Sequence, residues 1–313
     1  MGRPFRLQIL MALSAVPFVF LLFAGKPKQQ PSDFTIRSEV RLVLLDASVK
    51  NHEGGYVSGL PQNAFSVLEN GKSQQITIFA NEDRPVTVGI IVDESYSMTP
   101  KRNDVLSAAE TFIQESNPYD EMFVLNFNDT VKRGLPPETL FSDDIQQLRS
   151  ALQRGLPRGK TALHDAVVEG LKQLEQGRRD KKALIVISDG GDNASLHKRS
   201  EMLNMVEKSI ATIYTVGLFD PSDPDHNPGI LRKLARISGG EAYFPDGPSG
   251  MLPVCRRIAK DIRARYTIGY VPQPGNGAVR DIRVHVSAPG YPRLSAHTRG
   301  SYRYEPVENQ ETK

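Results

Sequence analysis

The sequence predicts an α/β fold: a doubly wound, mostly parallel sheet with a small flanking β module built from N- and C-terminal segments. The first observation is a set of unbroken apolar segments, such as 86–92 and 183–188, which alternate with stretches of helical periodicity. Such runs are typical of strands covered on both faces. The second is that segments with alternating apolar and polar residues lie on either side of this region, as expected of strands with one solvated face.

The chain begins with a segment that we expect to meet a membrane. Arg3 and Arg6 precede an uncharged, largely apolar stretch at residues 7–24. This length is at the lower edge for a membrane-spanning helix and slightly above a typical signal-peptide core. Residues 1–25 are therefore predicted to be a signal peptide or a membrane anchor, and the pattern leaves both alternatives open. The positive flank favours the cytoplasmic side, so we expect an exported protein that is periplasmic, secreted or membrane-anchored.

Composition excludes some functional classes. The 313 residues include 39 basic and 36 acidic side chains, a balance far from that of a dedicated nucleic-acid-binding protein. We expect no nucleic acid among the partners. Cys255 is the only cysteine, which rules out an intramolecular disulfide and a cysteine-based zinc cluster.

Residues 26–84 are predicted to form an N-terminal β module after a polar linker. Residues 40–49 are rich in strand-forming side chains, and 64–69 and 75–79 alternate apolar and polar residues around the turn dipeptide Asn70-Gly71. These few strands bury little surface alone, so we expect the module to dock on another part of the chain.

Residues 85–265 alternate strands and helices and are predicted to form the main domain. Ligands bind beyond the carboxyl ends of the strands in such sheets. The predicted strands are 86–92, 122–127, 183–188, 212–216 and 241–244, and the predicted helices are 101–115, 143–153, 161–174, 202–209, 230–237 and 252–263.

The remaining residues return to β character. Segments 266–271 and 281–286 predict a β-hairpin within residues 266–304, which we expect to pack with the N-terminal module as one sandwich-like unit. Residues 305–313 are polar and are expected to be a frayed tail.

Three polar clusters follow strands or open a helix in the main domain. Asp93, Ser95 and Ser97 come directly after the first apolar strand, Thr161 begins a predicted helix, and Asp189 follows a third apolar strand. The cluster order and placement put all of them at one edge of the sheet. Carboxylates and hydroxyls supply the oxygen ligands that hard cations prefer. Each cluster alone is also explained as a helix cap or turn, so the prediction of a metal site depends on their combination.

At these positions the chain resembles the von Willebrand factor A family. In that family a D-x-S-x-S motif, a threonine and an aspartate form a metal-ion-dependent adhesion site, and a partner's acidic group completes the coordination of the metal. The resemblance implies Mg²⁺, Mn²⁺ or Ca²⁺ as the cofactor and a protein partner that offers a carboxylate. It implies Ser95, Ser97 and Thr161 as direct ligands, and Asp93 and Asp189 as direct or water-mediated ones.

The flanking segments resemble a related family of exported bacterial proteins. The motifs that carry this likeness are D-A-S-V at 46–49, F-S-V-L-E-N-G at 65–71 and Y-T-I-G-Y at 266–270. Function in that family is poorly defined, so the likeness bears on architecture more than on biology.

Enzymatic motifs do not match. The stretch before Thr161 has three residues between its glycines where a phosphate-binding loop needs four, and no G-x-S-x-G occurs. His164 has no evident nucleophile to serve, and His226, in a loop rich in Asp and Pro, is a candidate for a contact at the rim of the site. We therefore expect a non-enzymatic, metal-dependent binding module. A metal-dependent hydrolase and a structural envelope protein with a bracing metal are the alternatives.

Overall fold

The structure is a computed structural model that describes residues 42–219, 225–274 and 279–304. The segment predicted as a signal peptide or anchor (1–25) and the predicted tail (305–313) lie outside these residues. Across the described ranges, no helix is both long and apolar enough to cross a lipid bilayer.

The elements follow one another in an order that separates flanking strands from a central α/β region. The strands are β1 (Val43–Asn51), β2 (Phe65–Glu69), β3 (Lys72–Gln74), β4 (Ile76–Ala80), β5 (Val86–Asp93), β6 (Glu121–Phe127), β7 (Val131–Arg133), β8 (Lys181–Ser188), β9 (Thr212–Gly217), β10 (Ala242–Tyr243), β11 (Tyr266–Tyr270), β12 (Val279–Val286), β13 (Leu294–His297) and β14 (Ser301–Arg303). The α-helices are α1 (Arg102–Glu115), α2 (Ile145–Gln153), α3 (Leu163–Glu175), α4 (Arg199–Lys208), α5 (Pro228–Ser238) and α6 (Met251–Ala264).

The central sheet confirms the predicted fold class. Its strand order is β10-β9-β8-β5-β6-β7, and every neighbouring pair is parallel except the antiparallel edge pair β6-β7. All eight residues of β5 are buried, because helices cover both faces of the sheet. Helix α1 packs against α2 and α6, while α4 packs against α3 and α5.

The flanking strands form two antiparallel sheets, with orders β13-β1-β11-β4 and β14-β12-β2-β3. Both sheets contribute to one apolar core. Leu45, Tyr266 and Ile268 come from the first sheet, and Val67 and Ile282 come from the second. Each sheet thus combines strands from before and after the central region, so neither flank can complete this unit alone.

The predicted hairpin in residues 266–304 is wrong. Strand β11 lies between β1 and β4 in one sheet, whereas β12 pairs with β2 and β14 in the other. A hairpin would place both strands in one sheet. Crossing between sheets instead lets Tyr270 and Ile282, both almost fully buried, cover the shared core from opposite sides. The domain boundaries at residues 26–84, 85–265 and 266–304 stay predictions.

Candidate metal centre

The candidate site lies at the carboxyl edge of the central sheet, where β5 and β8 end. Asp93 is the last residue of β5, and Asp189 directly follows β8. Parallel neighbours in the sheet bring these two strand ends together. Thr161 lies two residues before α3, whose N-cap residue is Ala162, so Thr161 is in the preceding loop and does not cap the helix.

Direct hydrogen bonds join the two halves of the site. The Ser97 hydroxyl donates to Asp189 Oδ2 over 2.5 Å, and the Ser95 and Ser97 hydroxyl oxygens are 3.1 Å apart. Ser95, Ser97, Thr161 and Asp189 line a cavity of about 420 Å³. The structure therefore brings together the predicted site residues that come from three separate stretches of sequence.

Asp93 lies behind this cavity rather than in its lining. Its two carboxylate oxygens accept from the Ser188 hydroxyl at 2.6 Å and from the Ser95 backbone N–H at 2.8 Å. Ser188 is a contact that sequence reasoning missed. Its position as the last residue of an apolar strand, next to Asp189, was the available signal.

The site contains two buried carboxylates, Asp93 and Asp189, that are not paired with a cationic side chain of the described residues. Asp93 and Asp189 are 2% and 3% exposed. Burial, and then the negative charge of Asp189, raise the pKa of Asp93 to about 7. Within the described residues, these two carboxylates accept only from hydroxyls and backbone N–H groups, with no Lys, Arg or His paired to either. Buried charge of one sign is unfavourable without a counter-charge.

A cation of suitable chemistry fits this donor set. The candidate ligands are all oxygens, which suits a hard divalent ion. In the described part of the chain, no group of three or more His, Cys, Asp or Glu side chains is arranged to hold a metal. A metal centre here would therefore need the serine and threonine hydroxyls as well as the carboxylates, as the sequence motif predicts.

The loop after β8 holds Thr161 in place through a residue that the sequence did not single out. Asn193 Oδ1 accepts from the Thr161 N–H at 2.9 Å, and the Thr161 carbonyl accepts from the Asn193 N–H, also at 2.9 Å. The Asn193 side-chain amide in turn donates to Asp225 over 3.1 Å. Asp225 also lines the cavity, so it adds a carboxylate to the rim.

The histidines lie outside the cavity lining. His164 Nδ1 is 3.0 Å from Asp192, and the ring of His226 packs against Phe219 at a centroid distance of 5.6 Å. Glu94, next to Asp93 in sequence, is buried and pairs with Arg102 on α1.

Comparisons with known proteins agree with the observed fold. A family model described as von Willebrand factor type A domain matches residues 88–191. A solved structure of "von Willebrand factor type A from Catenulispora acidiphila" is 15% identical, covers 86% of this chain and 74% of its own, and has a TM-score of 0.50. No curated protein sequence matches the chain.

Two further solved structures are similar to a part of the chain. The vWF domain of the type V pili tip protein Mfa5 from Porphyromonas gingivalis is 12% identical over 62% of this chain and 98% of its own, with a TM-score of 0.49. Proximal thread matrix protein 1 from the mussel byssus, in a form with a zinc-occupied MIDAS motif, is 14% identical over 58% of this chain and 49% of its own, with a TM-score of 0.48. The family-model match and the mostly parallel central sheet together lead to one conclusion: residues 88–191 of this chain match a von Willebrand factor type A domain, and the central region has that fold.

Proposed function

We propose that this protein is an exported, non-enzymatic binding module that uses a divalent cation to bind an acidic group of a protein partner. Asp93, Ser95, Ser97, Thr161 and Asp189 would hold the cation, with Mg²⁺ as the first candidate and Mn²⁺ or Ca²⁺ as substitutes. The observation that carries the proposal is the pair of buried carboxylates, Asp93 and Asp189, which have no cationic partner among the described residues.

The residues of this site divide into two groups. Ser95, Ser97, Thr161 and Asp189 present oxygens to the cavity, where a bound ion would be accessible to a partner. Asp93 orients Ser95 through the backbone and places negative charge behind the ion. A bound cation supplies the positive charge that attracts a partner's carboxylate, and the cavity leaves room for that group beside it.

Binding is favoured over hydrolysis by the surroundings of the cavity. None of the described histidines lines the cavity, and His164 pairs with Asp192. A metal-dependent hydrolase needs a base that can reach a metal-bound water. The described lining residues offer no histidine for that role, and the rim carboxylate of Asp225 already accepts a hydrogen bond from Asn193.

Metal binding is tested by thermal unfolding of the full chain with Mg²⁺, Mn²⁺, Ca²⁺ or EDTA. At about a hundredfold excess of metal over its dissociation constant, mass action predicts about 2.7 kcal/mol of stabilisation. Ser97→Ala should lose most of this gain. Ser107→Ala, which removes an exposed hydroxyl on α1, should keep it. Equal stabilisation of both variants would refute the assignment of the site.

Partner binding needs a separate test. The immobilised chain is exposed to envelope proteins with metal or with EDTA, before and after their carboxyl groups are amidated with a carbodiimide. We expect retention only with metal and only of proteins with free carboxylates. Retention of a partner with EDTA, or after amidation, would contradict a metal-bridged mode of binding.

A further inference from the structure

A second cleft lies at the opposite edge of the central sheet from the candidate metal centre. It has a volume of about 510 Å³ and is bounded by the amino-terminal ends of β8 and β9 on one side and by β1, β4 and β11 of the sandwich on the other. This volume is in the range of sites that bind small molecules. None of the residues of the candidate metal centre lines it.

Two buried cationic side chains line this cleft. Lys181 and Arg299 are each 8% exposed. Lys181 Nζ donates to the Arg265 carbonyl over 3.1 Å, and Arg299 Nη2 donates to the Ser209 carbonyl. Neither forms an ion pair within the described residues, although buried lysines and arginines are normally paired with an acid. Both therefore keep N–H donors for which the described part of the chain provides no acceptor.

The electrostatics of the cleft are positive overall. Its lining includes six basic side chains and three acidic ones. Burial lowers the pKa of Lys181 and of Arg299, and the nearby negative charge of Asp46 offsets only part of this effect. The basic residues are Arg84, Arg178, Arg179, Lys181, Lys182 and Arg299, and the acidic ones are Asp46, Glu175 and Asp180.

The segment that carries Arg299 packs closely against the α/β region. His297 Nε2 is 2.8 Å from the Gly240 carbonyl oxygen, and a Cβ at Gly239 would lie 2.4 Å from the Arg299 backbone nitrogen. The Thr298 hydroxyl is buried in the cleft lining and has no hydrogen-bond partner among the described residues. It adds an unsatisfied donor next to Arg299.

The sandwich side of the cleft is apolar. Leu44 on β1 and Ile78 on β4 flank Gly269 of β11, where an added Cβ would be 2.9 Å from Ile78 and 3.1 Å from Leu44. Leu44 and Ile78 are 38% and 41% exposed, so both present apolar surface to the cleft. Ile210, at 53% exposure, lies in the lining between α4 and β9.

We propose that this cleft binds a small organic anion, with its phosphate or carboxylate group between Lys181 and Arg299 and its apolar part against Leu44 and Ile78. The anion forms the direct ion pair that neither Lys181 nor Arg299 makes among the described residues, since Asp46 is near both but bonded to neither. The apolar part covers side chains that the fold leaves exposed to water. This site is independent of the metal centre and of its proposed function.

Calorimetric titration of the full chain with phenyl phosphate tests the proposal. EDTA is present throughout, so that no bound metal can hold the phosphate. We expect saturable binding with one site per chain. Inorganic phosphate should bind more weakly because it lacks the ring, and phenyl β-glucoside should not bind because it lacks the charge. Absence of saturable binding in the millimolar range, or equally tight binding of the glucoside, would overturn the proposal.

Charge variants separate a binding site from a structural role. Arg299→Gln should weaken binding about tenfold or more, the loss expected when a charge-assisted hydrogen bond is removed. Asp46→Asn should strengthen binding, because it removes the acid that competes for the two cations. A purely structural disturbance does not produce a gain, so an unchanged or weaker affinity in Asp46→Asn would contradict the proposal.

A matched pair of variants at an exposed position of the cleft keeps the test valid even if the buried variant Arg299→Gln does not fold. Ile210→Glu and Ile210→Gln are equal in size and differ in charge, and the parent side chain is exposed. We expect the glutamate variant to bind phenyl phosphate more weakly than the glutamine variant. Arg133→Gln on the distant edge strand β7 is the control and should bind as the parent does. Equal affinities for the two Ile210 variants would count against an anion site.

Discussion

At the scale of single residues, Asp93 shows how the fold changes the chemistry of an ordinary side chain. It is buried at a strand end beside a second carboxylate, and both of its oxygens accept hydrogen bonds. Burial destabilises the charged carboxylate by more than these hydrogen bonds stabilise it, so the pKa of Asp93 is higher than in water. A divalent cation bound at the site would favour the charged form of Asp93 over the protonated form.

The pH dependence of metal affinity follows from the protonation of Asp93. A proton on Asp93 competes with the metal, so we expect affinity to fall about tenfold for each pH unit below about 7, where the pKa of Asp93 lies without metal. Metal titrations at several pH values between about 5 and 8, which lie on both sides of this pKa, measure the slope. An affinity independent of pH would show that Asp93 does not contribute its charge to the site.

Stability without metal should change with pH in the opposite direction. The folded chain holds a proton on Asp93 that the unfolded chain releases at its ordinary, lower pKa. This contribution is fully present below the ordinary pKa, and it is lost as the pH rises through about 7. Denaturant unfolding in EDTA at several pH values measures the effect. Asp93→Asn should flatten the profile in that window, whereas an unchanged profile would assign the dependence to other groups.

Gly190 is a second residue whose role depends on its surroundings. It has φ of 83°, and a Cβ at this position would lie 2.3 Å from the Asn227 carbonyl oxygen. Gly190→Ala therefore adds both backbone strain and a clash with backbone, and we expect a loss of about 1–3 kcal/mol together with weaker metal binding, because Asp189 is adjacent. Denaturant unfolding and metal titration measure the two effects.

Gly54 provides the matched control for that change. It has φ of 81°, but no atom lies within 4 Å of an added Cβ. Gly54→Ala therefore carries the strain without the clash, and metal affinity should stay at the parent value. Equal loss of metal affinity in both variants would mean that the effect of Gly190→Ala is not local to the site.

At the scale of elements, helix α2 illustrates stabilisation by a single cap. The Asp144 carboxylate accepts from the backbone N–H groups of Gln146 at 2.7 Å and Gln147 at 3.2 Å. We expect Asp144→Ala to lower the free energy of unfolding by about 1 kcal/mol. Asp143→Ala removes a neighbouring exposed carboxylate that is not the cap, and its effect should stay within about 0.5 kcal/mol. Denaturant unfolding of both variants distinguishes the cap from a general charge effect.

The same scale shows where local pattern predicts structure well and where it does not. Strand β5 was evident from its unbroken apolar run, because a strand covered on both faces needs apolar residues at every position. The pairing of β11 was not evident. Alternation shows that a segment is a strand, but the choice of partner depends on which surfaces remain to be covered after the rest of the chain has folded.

At the scale of the whole molecule, Arg265 joins the sandwich to the α/β region. Its buried guanidinium donates to Asp261 of α6 at 3.0 Å, to the carbonyl of Asp46 in β1 at 2.8 Å, and to the carbonyl of Gly239 at the end of α5 at 2.7 Å. One side chain thus satisfies groups from three elements. If it were shortened or made neutral, the carbonyls of Asp46 and Gly239 would lose this donor. Asp261 Oδ2 would keep the hydrogen bond from the Tyr214 hydroxyl but lose the positive charge.

Arg265→Gln should therefore destabilise the chain as a whole. Breaking a buried ion pair leaves the Asp261 carboxylate uncompensated, and we expect a loss of about 3–5 kcal/mol in denaturant unfolding. Arg283→Gln on β12 replaces an exposed arginine and should change stability by no more than about 0.5 kcal/mol. Similar losses of unfolding free energy in the two variants would show that the buried contacts of Arg265 do not stabilise the fold more than an exposed arginine does.

The sequence by itself determined the fold class, the strand-helix order of the central region and the five candidate metal-binding residues. These features are local: hydrophobic period, turn residues, and polar side chains placed directly after strands. Tertiary structure decided the strand pairing of the two outer sheets, the position of Asp93 behind the cavity, and the presence of both Lys181 and Arg299 in the lining of the second cleft. Those features join residues that are far apart along the chain, and their geometry depends on how complete surfaces pack rather than on any local pattern.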